Sequence, residues 1–350
     1  MTAEHRAGAG PVDTGPALQI DLFLLAGQFP SFTHAEALRA ATNYAILAEQ
    51  AGFDGVWLAE HHFSNYGTCP SAVTMAGYLL GRTTRLRVGT AAAILPTRHP
   101  IALAEETALL DAVSGGRFDL GVARGGPWID LQVFGTGLDR YRMDGFTAGL
   151  DLLLAGLSSA GTVRGDGQRF PFPEVAMVPV AGRDIPVWIA ATSTPTVTLA
   201  AARALPLLLG MHDDDDAKAA MLRAHTAAAS GSPIPGHASA HLAYVADTVE
   251  EAEATLRHVM PGWLAAAGGQ PRIDRSAPPR RDLTGYLERL LAIHPVGPPA
   301  RCVQRLAATV AATGTRRLLL MVEGDGDPRR TLANIERLGR EVVPPLRRLP

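Results

Sequence analysis

Residues 86–122 read LRVGTAAAILPTRHPIALAEETALLDAVSGGRFDLGV. Leu86–Leu95 is a short strand-like run, with Val88, Ile94 and Leu95 among Gly89, Thr90 and three alanines. Pro100–Val113 is helical and begins with proline, whose missing N–H costs nothing at a helix start. Phe118–Val122 is the next apolar run. Strand, helix and strand in this order form a βαβ unit, the building block of a parallel sheet.

The same alternation extends in both directions. Towards the N-terminus lie strand Leu18–Ala26, helix Thr33–Gln50, strand Phe53–Ala59 and helix Ser71–Gly81. Thr33 is an N-cap residue and Gly52 stands just past the helix end. Towards the C-terminus follow helix Tyr141–Leu157, strand Pro186–Ala191, helix Thr196–Arg203, strand Leu205–Gly210 and helix Asp216–Ala229. Strand His241–Ala246, helix Thr248–Val259, strand Arg316–Val322 and helix Pro328–Val343 complete the series. Eight strands with seven or eight helices predict an α/β fold, a closed (β/α)8 TIM barrel with its active site at the C-terminal strand ends. Gly161–Val180, with Gly, Pro and alternating Phe and Val, reads as a β-ribbon insertion. Gly268–Arg280 is long, polar and rich in Pro and Arg, the character of a mobile lid loop.

Composition narrows the function classes. The chain has 350 residues, 47% hydrophobic and 19% charged, with a net charge of −2. This balance fits a globular enzyme and argues against nucleic acid or an anionic membrane as partner. Lys218 is the only lysine. Two cysteines, Cys69 and Cys302, make no disulfide framework and suit a reducing cytoplasm. No long apolar run free of charge is present, so no transmembrane helix is expected. Residues 1–17 read as a disordered lead-in, and 18–350 as a single domain. The acidic run Asp213–Asp216 suits a helix N-terminus better than a metal.

Three segments carry chemistry. Glu60-His61-His62-Phe63 follows the second strand. Neighbouring residues of an extended segment point to opposite faces, so the two histidines are poorly placed to chelate one ion, and no metal is expected. Either one histidine faces the barrel mouth as acid/base or hydrogen-bond donor, or the pair is structural. Arg124-Gly125-Gly126 ends the fourth strand. Arginine presents a fork of donors suited to phosphate, and glycine lets backbone approach a ligand. A salt-bridged surface arginine is the alternative. Thr192-Ser193-Thr194-Pro195-Thr196 opens a helix after the fifth strand with more hydroxyls than capping needs. Arg124 and this turn could hold the two sides of one phosphate.

These segments resemble the bacterial luciferase-like, flavin-dependent monooxygenase family. Glu60-His61-His62-Phe63, with Gly67 and Pro70, is similar to its EHHF…G…NP segment. Arg87–Pro100 resembles its third strand and following turn. Glu105, Leu109-Leu110-Asp111, Ser114–Phe118, Arg124-Gly125 and Val133-Phe134-Gly135 continue the likeness, as do His294-Pro295-Val296-Gly297 and Ala312-Thr313-Gly314. It spans residues 19–347. The resemblance implies a two-component enzyme that takes reduced FMN from a separate flavin reductase and O2 as co-substrate, by way of a C4a-peroxyflavin. His61 then matches the catalytic histidine. Arg124, Ser193 and Thr196 match phosphate-binding positions, and Thr192 stands beside them. Ala91-Ala92 matches a non-prolyl cis peptide beneath the isoalloxazine, and the loop near Gly268–Arg280 a lid. Phe63 and Trp128 are expected to line a pocket for an apolar or aromatic substrate, with hydroxylation, epoxidation and Baeyer–Villiger insertion all within the family's range.

The resemblance has departures. Ala123 stands where light-emitting α subunits carry a reactive cysteine, Thr192 where they carry a glutamate, and Cys69 where asparagine is usual. These argue against light emission rather than against flavin chemistry. Two other readings stand beside this one: an F420-dependent oxidoreductase, and a non-catalytic subunit like the luciferase β chain. A homodimer is expected, with Ala72, Ala76 and Gly77 of the second helix either at the interface or inside the chain's own core.

Overall fold

The computed structural model describes residues 17–30, 32–165, 167–229, 234, 236–267, 270–274, 276 and 282–349. The eight parallel strands are β1 (Gln19–Leu24), β2 (Gly55–Leu58), β3 (Arg87–Thr90), β4 (Phe118–Ala123), β5 (Val187–Ala191), β6 (Leu207–Leu209), β7 (Ala238–Leu242) and β8 (Arg317–Met321). They pair in the order β3-β2-β1-β8-β7-β6-β5-β4, and β4 also pairs with β3, so the sheet closes on itself. The helices around it are α1 (His34–Gln50), α2 (Ala72–Leu80), α3 (Pro100–Ser114), α4 (Met143–Gly156), α5 (Thr194–Ala201), α6 (Asp215–Ala228), α7 (Val249–Ala266), α8 (Leu283–Ile293), α9 (Pro299–Thr313) and α10 (Pro328–Arg337).

Local chemistry sets the boundaries. At α1, Thr33 and Glu36 form a reciprocal capping box. α3 has proline at its first turn and ends on Gly115 in the left-handed region. The strands alternate as a barrel requires. Ile20, Leu22, Val56, Val88, Leu120, Ile189, Leu318 and Leu320 belong to the cluster that joins sheet to helices. Trp57, Trp188, Leu208, Ala240 and Leu319 belong to a second cluster. Gly89 makes the second cluster possible, because a Cβ there would lie 2.6 Å from the Trp57 ring.

Several boundaries differ from the sequence expectation. The third strand does not run from Leu86 to Leu95. It stops at Thr90, passes the cis Ala91–Ala92 peptide that the resemblance implied, and resumes at Ala93–Ile94 against β4. The seventh is centred earlier, at Ala238–Leu242, and Tyr244–Val245 pairs separately with Val296–Gly297. His241 thus joins a buried group with Ser239 and His294, bonding Ser239 at 2.9 Å. α7 runs on to Ala266 through Pro261. α8 and α9 went unassigned in the sequence. The ribbon is present as Thr162–Gly165 paired antiparallel with Phe172–Ala176. The lead-in, apart from Ala17, and much of the lid lie outside the described residues. No helix among the described residues is long and apolar enough to cross a membrane.

Candidate active site

The C-terminal strand ends surround a cavity of about 580 Å³, within the range of small-molecule sites. Its wall is mostly apolar: Leu25, Ala59, Ala91, Ala92, Ile94 and Ala123 on one side, Leu208, Met211, Ala240 and Leu319 on the other. His61, His62, Tyr66, Trp128, Asp130, Thr192, His212 and Gln270 supply the polar and aromatic groups.

The turn after β2 resolves the two histidines. Glu60 is buried, and both carboxylate oxygens accept from Arg98 Nη2 at 2.7 Å. The carboxylate also accepts from the backbone N–H groups of Ile94 and of Ala72, the first residue of α2, each at 3.1 Å. Burial raises its pKa, but His62, Arg98 and the Ile94 N–H outweigh that and hold it below the usual carboxylate value. Glu60 is therefore an ionised anchor. His62 Nε2 lies 3.3 Å from Glu60 Oε1, and its ring packs edge-on against Phe134.

His61 is held differently. Its backbone N–H donates to Cys69 O at 3.0 Å, and its ring stands edge-on to Tyr66 at 5.2 Å. Tyr66 stacks on Trp263, whose Nε1 donates to Tyr66 O at 2.8 Å, and Phe29 stacks on Trp263 in turn. Nδ1 of His61 is buried with no partner among the described residues. Burial, reinforced by His62 and opposed by Glu60, pushes its pKa down to about 4. The imidazole is neutral near pH 7 and can give or take one hydrogen bond. Gly67 leaves room for it, since a Cβ there would sit 2.4 Å from Nδ1 and 2.8 Å from Leu25 O. Gly67→Ala should displace the ring and lower product formation at least about tenfold, while costing roughly 1–3 kcal/mol of stability. Steady-state turnover beside chemical denaturation checks this, and unchanged turnover would refute it.

The phosphate candidates stand at the ends of adjacent strands, and of them only Thr192 lines the cavity. β4 and β5 pair with Val122 opposite Ile189, which brings the following segments side by side. Arg124 lies over the Tyr141 ring at 4.5 Å, donates to Tyr141 O at 3.4 Å, and has no carboxylate partner among the described residues. Ser193 is the N-cap of α5, and its hydroxyl is 3.1 Å from that of the buried Thr196. Thr192 is exposed and faces the cavity.

Trp128 lines the cavity, but Phe63 does not. Its backbone takes φ +54°, which turns the ring outward, 59% exposed, against Phe134. Gln270–Asp274, within the segment expected to form a lid, lies on the loop after β4. Ile129 N–H donates to Pro271 O at 3.0 Å and Ile273 N–H to Pro127 O at 2.9 Å. Arg272 covers the Trp128 ring, and Gln270 Nε2 donates to the carbonyl of His62. Sequence reasoning missed Tyr66, Asp130, Met211, His212 and Gln270. Three had a local signal: Tyr66 lies between Phe63 and Gly67 of the quoted motif, Asp130 between Trp128 and Val133, and Gln270 in the expected lid.

The layout is that of a (β/α)8 barrel with its site at the C-terminal strand ends. The family model described as luciferase-like monooxygenase matches residues 18–317, and the chain belongs to this family. It is 30% identical over 346 residues to the alkanal monooxygenase alpha chain of Photorhabdus laumondii, covering 92% of this chain and 96% of that one. The corresponding chain from the Kryptophanaron alfredi symbiont is 29% identical, covering 93% and 97%. Among solved structures, a monooxygenase from Streptomyces bottropensis superposes with a TM-score of 0.81 at 20% identity, covering 93% of this chain and 99% of that one. The oxygenating constituent of 3,6-diketocamphane monooxygenase from Pseudomonas putida, in complex with FMN, gives 0.74 at 18%, covering 94% and 98%. An F420-dependent secondary alcohol dehydrogenase gives 0.73 at 15%, covering 95% and 99%.

Proposed function

We propose that this chain is an FMN-dependent monooxygenase that oxygenates an apolar or aromatic small molecule with O2, taking reduced flavin from a separate reductase. The observation that carries the reading is the neutral His61, with its unpaired buried Nδ1, on an apolar cavity beside Arg124 and the Ser193–Thr196 turn. These residues fit the group. Arg124, Ser193 and Thr196 would hold the phosphate, and Ala91 and Ala92 would offer a flat apolar bed for the ring. Reduced FMN, when bound, supplies the electrons that activate oxygen. The chain's own part is to orient, to exclude water and to place His61, which gives or takes a hydrogen bond at the reacting oxygen.

The test pairs anaerobic titration with reduced FMN and oxygen uptake across apolar and aromatic substrates. Arg124→Ala should lose a charge-assisted phosphate contact worth about 2 kcal/mol, weakening reduced FMN roughly thirtyfold. An unchanged affinity would remove Arg124 from the site. The F420-dependent alcohol dehydrogenase neighbour motivates a second reading, in which hydride passes to F420 without oxygen. Reduction of F420 by a substrate, with no oxygen uptake on FMN, would favour it. The higher identity to alkanal monooxygenase chains supports oxygenation. A cytoplasmic homodimer completes the proposal. Ala72 and Ala76 are buried within the chain and Gly77 faces Leu110, so α2's small residues serve its own core. The exposed Tyr78, Leu109 and Val113 on α2 and α3 support a partner there.

A further inference from the structure

The cavity holds a second carboxyl that the oxygenation chemistry leaves unused. Asp130 is the first residue of the short helical turn Asp130–Val133, only 4% exposed, and lies on the wall with His61, His62, Trp128 and Gln270. Its carboxyl has one hydrogen bond among the described residues, and that is short-range: Oδ1 accepts from the Leu131 N–H at 2.9 Å. No described arginine, lysine or histidine lies within ion-pair distance of it. Arg98 pairs with Glu60 and Arg272 with Asp274. A carboxyl has about four lone-pair sites, and the described residues fill only one of them here. Burial raises its pKa, against smaller opposing effects of the Leu131 N–H and His62.

We propose that Asp130 is a specificity-determining residue, accepting the hydrogen bond of a hydroxyl on an aromatic substrate that packs against Trp128. The cavity then selects hydroxylated arenes over their counterparts without the donor. A hydroxyl satisfies the lone pairs without bringing the full charge of an ammonium among Ile94, Ala92 and Ala123. The inference rests on the oxygenation reading and names its substrate class.

Calorimetric titration of the full chain with 2-naphthol and 2-methoxynaphthalene, with and without FMN, tests it. Wild type should bind the naphthol at least about tenfold more tightly, because the ether leaves the carboxyl unpaired. Asp130→Leu should abolish that preference. Equal affinity of wild type for the two probes, or a preference retained in Asp130→Leu, overturns the proposal. The wild-type comparison stands even where the variant does not fold. FMN affinity is read in its own titration: naphthol preference without flavin binding would discard the oxygenation reading and keep Asp130's role as a hydroxyl acceptor.

Discussion

Replacing His61 by alanine will leave the barrel folded and lower the rate of oxygenated product by about 10²- to 10⁴-fold, the usual contribution of a positioned proton-transfer group. The fold should survive because the ring packs against the cavity rim and not in the sheet-to-helix core. Its neighbours Tyr66, Trp263 and Phe29 hold one another by stacking, and Glu60 keeps its bonds to Arg98, Ala72 and Ile94. Reduced FMN should still bind, since the phosphate contacts assigned to Arg124, Ser193 and Thr196 are untouched. The informative measurement is therefore product formed per O2 consumed, with hydrogen peroxide making up the shortfall. Oxygenation by His61→Ala at the native rate would show that the neutral imidazole has no part in the chemistry. Replacing His62 should act differently, through Glu60 and the rim, because its ring nitrogen already has a partner.

The largest loss of stability is expected from Arg317→Leu. Arg317 donates from Nε to Asp21 at 2.7 Å and from Nη2 to Asp119 at 3.0 Å. Its guanidinium meets the rings of both Trp57 and Trp188, at 4.9 and 5.4 Å from their centroids. Trp57 Nε1 donates to the same Asp21 oxygen at 2.7 Å, and Arg87 Nε donates to Asp119 at 2.9 Å. Removing Arg317 strands Asp21, whose pKa burial already raises against the pull of Arg317. Breaking one partner from a buried ionic set costs about 3–5 kcal/mol, because the remaining charge is left uncompensated. Chemical denaturation of wild type and variant measures this, and a difference under about 1 kcal/mol would refute it. Adding Asp21→Asn should recover part of the loss, since it removes the stranded charge.

Much of the barrel was legible in the chain. Strand and helix periods differ, and punctuation such as Thr33, Gly52 and Pro100 acts within a few residues of where it stands. The ends were less legible. The third strand reads as one apolar run, yet it breaks at Ala91–Ala92, which no alternation of side chains reveals. α8 and α9 follow the long polar segment Gly268–Arg280, where the simple strand–helix rhythm no longer guides the eye.

The sequence by itself determined the eightfold alternation and the order of the motifs. Both are local properties of the chain, carried by hydrophobic period and turn chemistry. Which side chains face the cavity was decided by tertiary structure alone. Glu60 reaches Arg98 across 38 residues, Gln270 reaches His62 across 208, and Arg317 reaches Asp21 across 296. Such bonds select one histidine as anchored and leave the other free. They also depend on backbone departures such as φ +54° at Phe63, where the two-residue period of a strand fails and a ring expected inside turns to solvent.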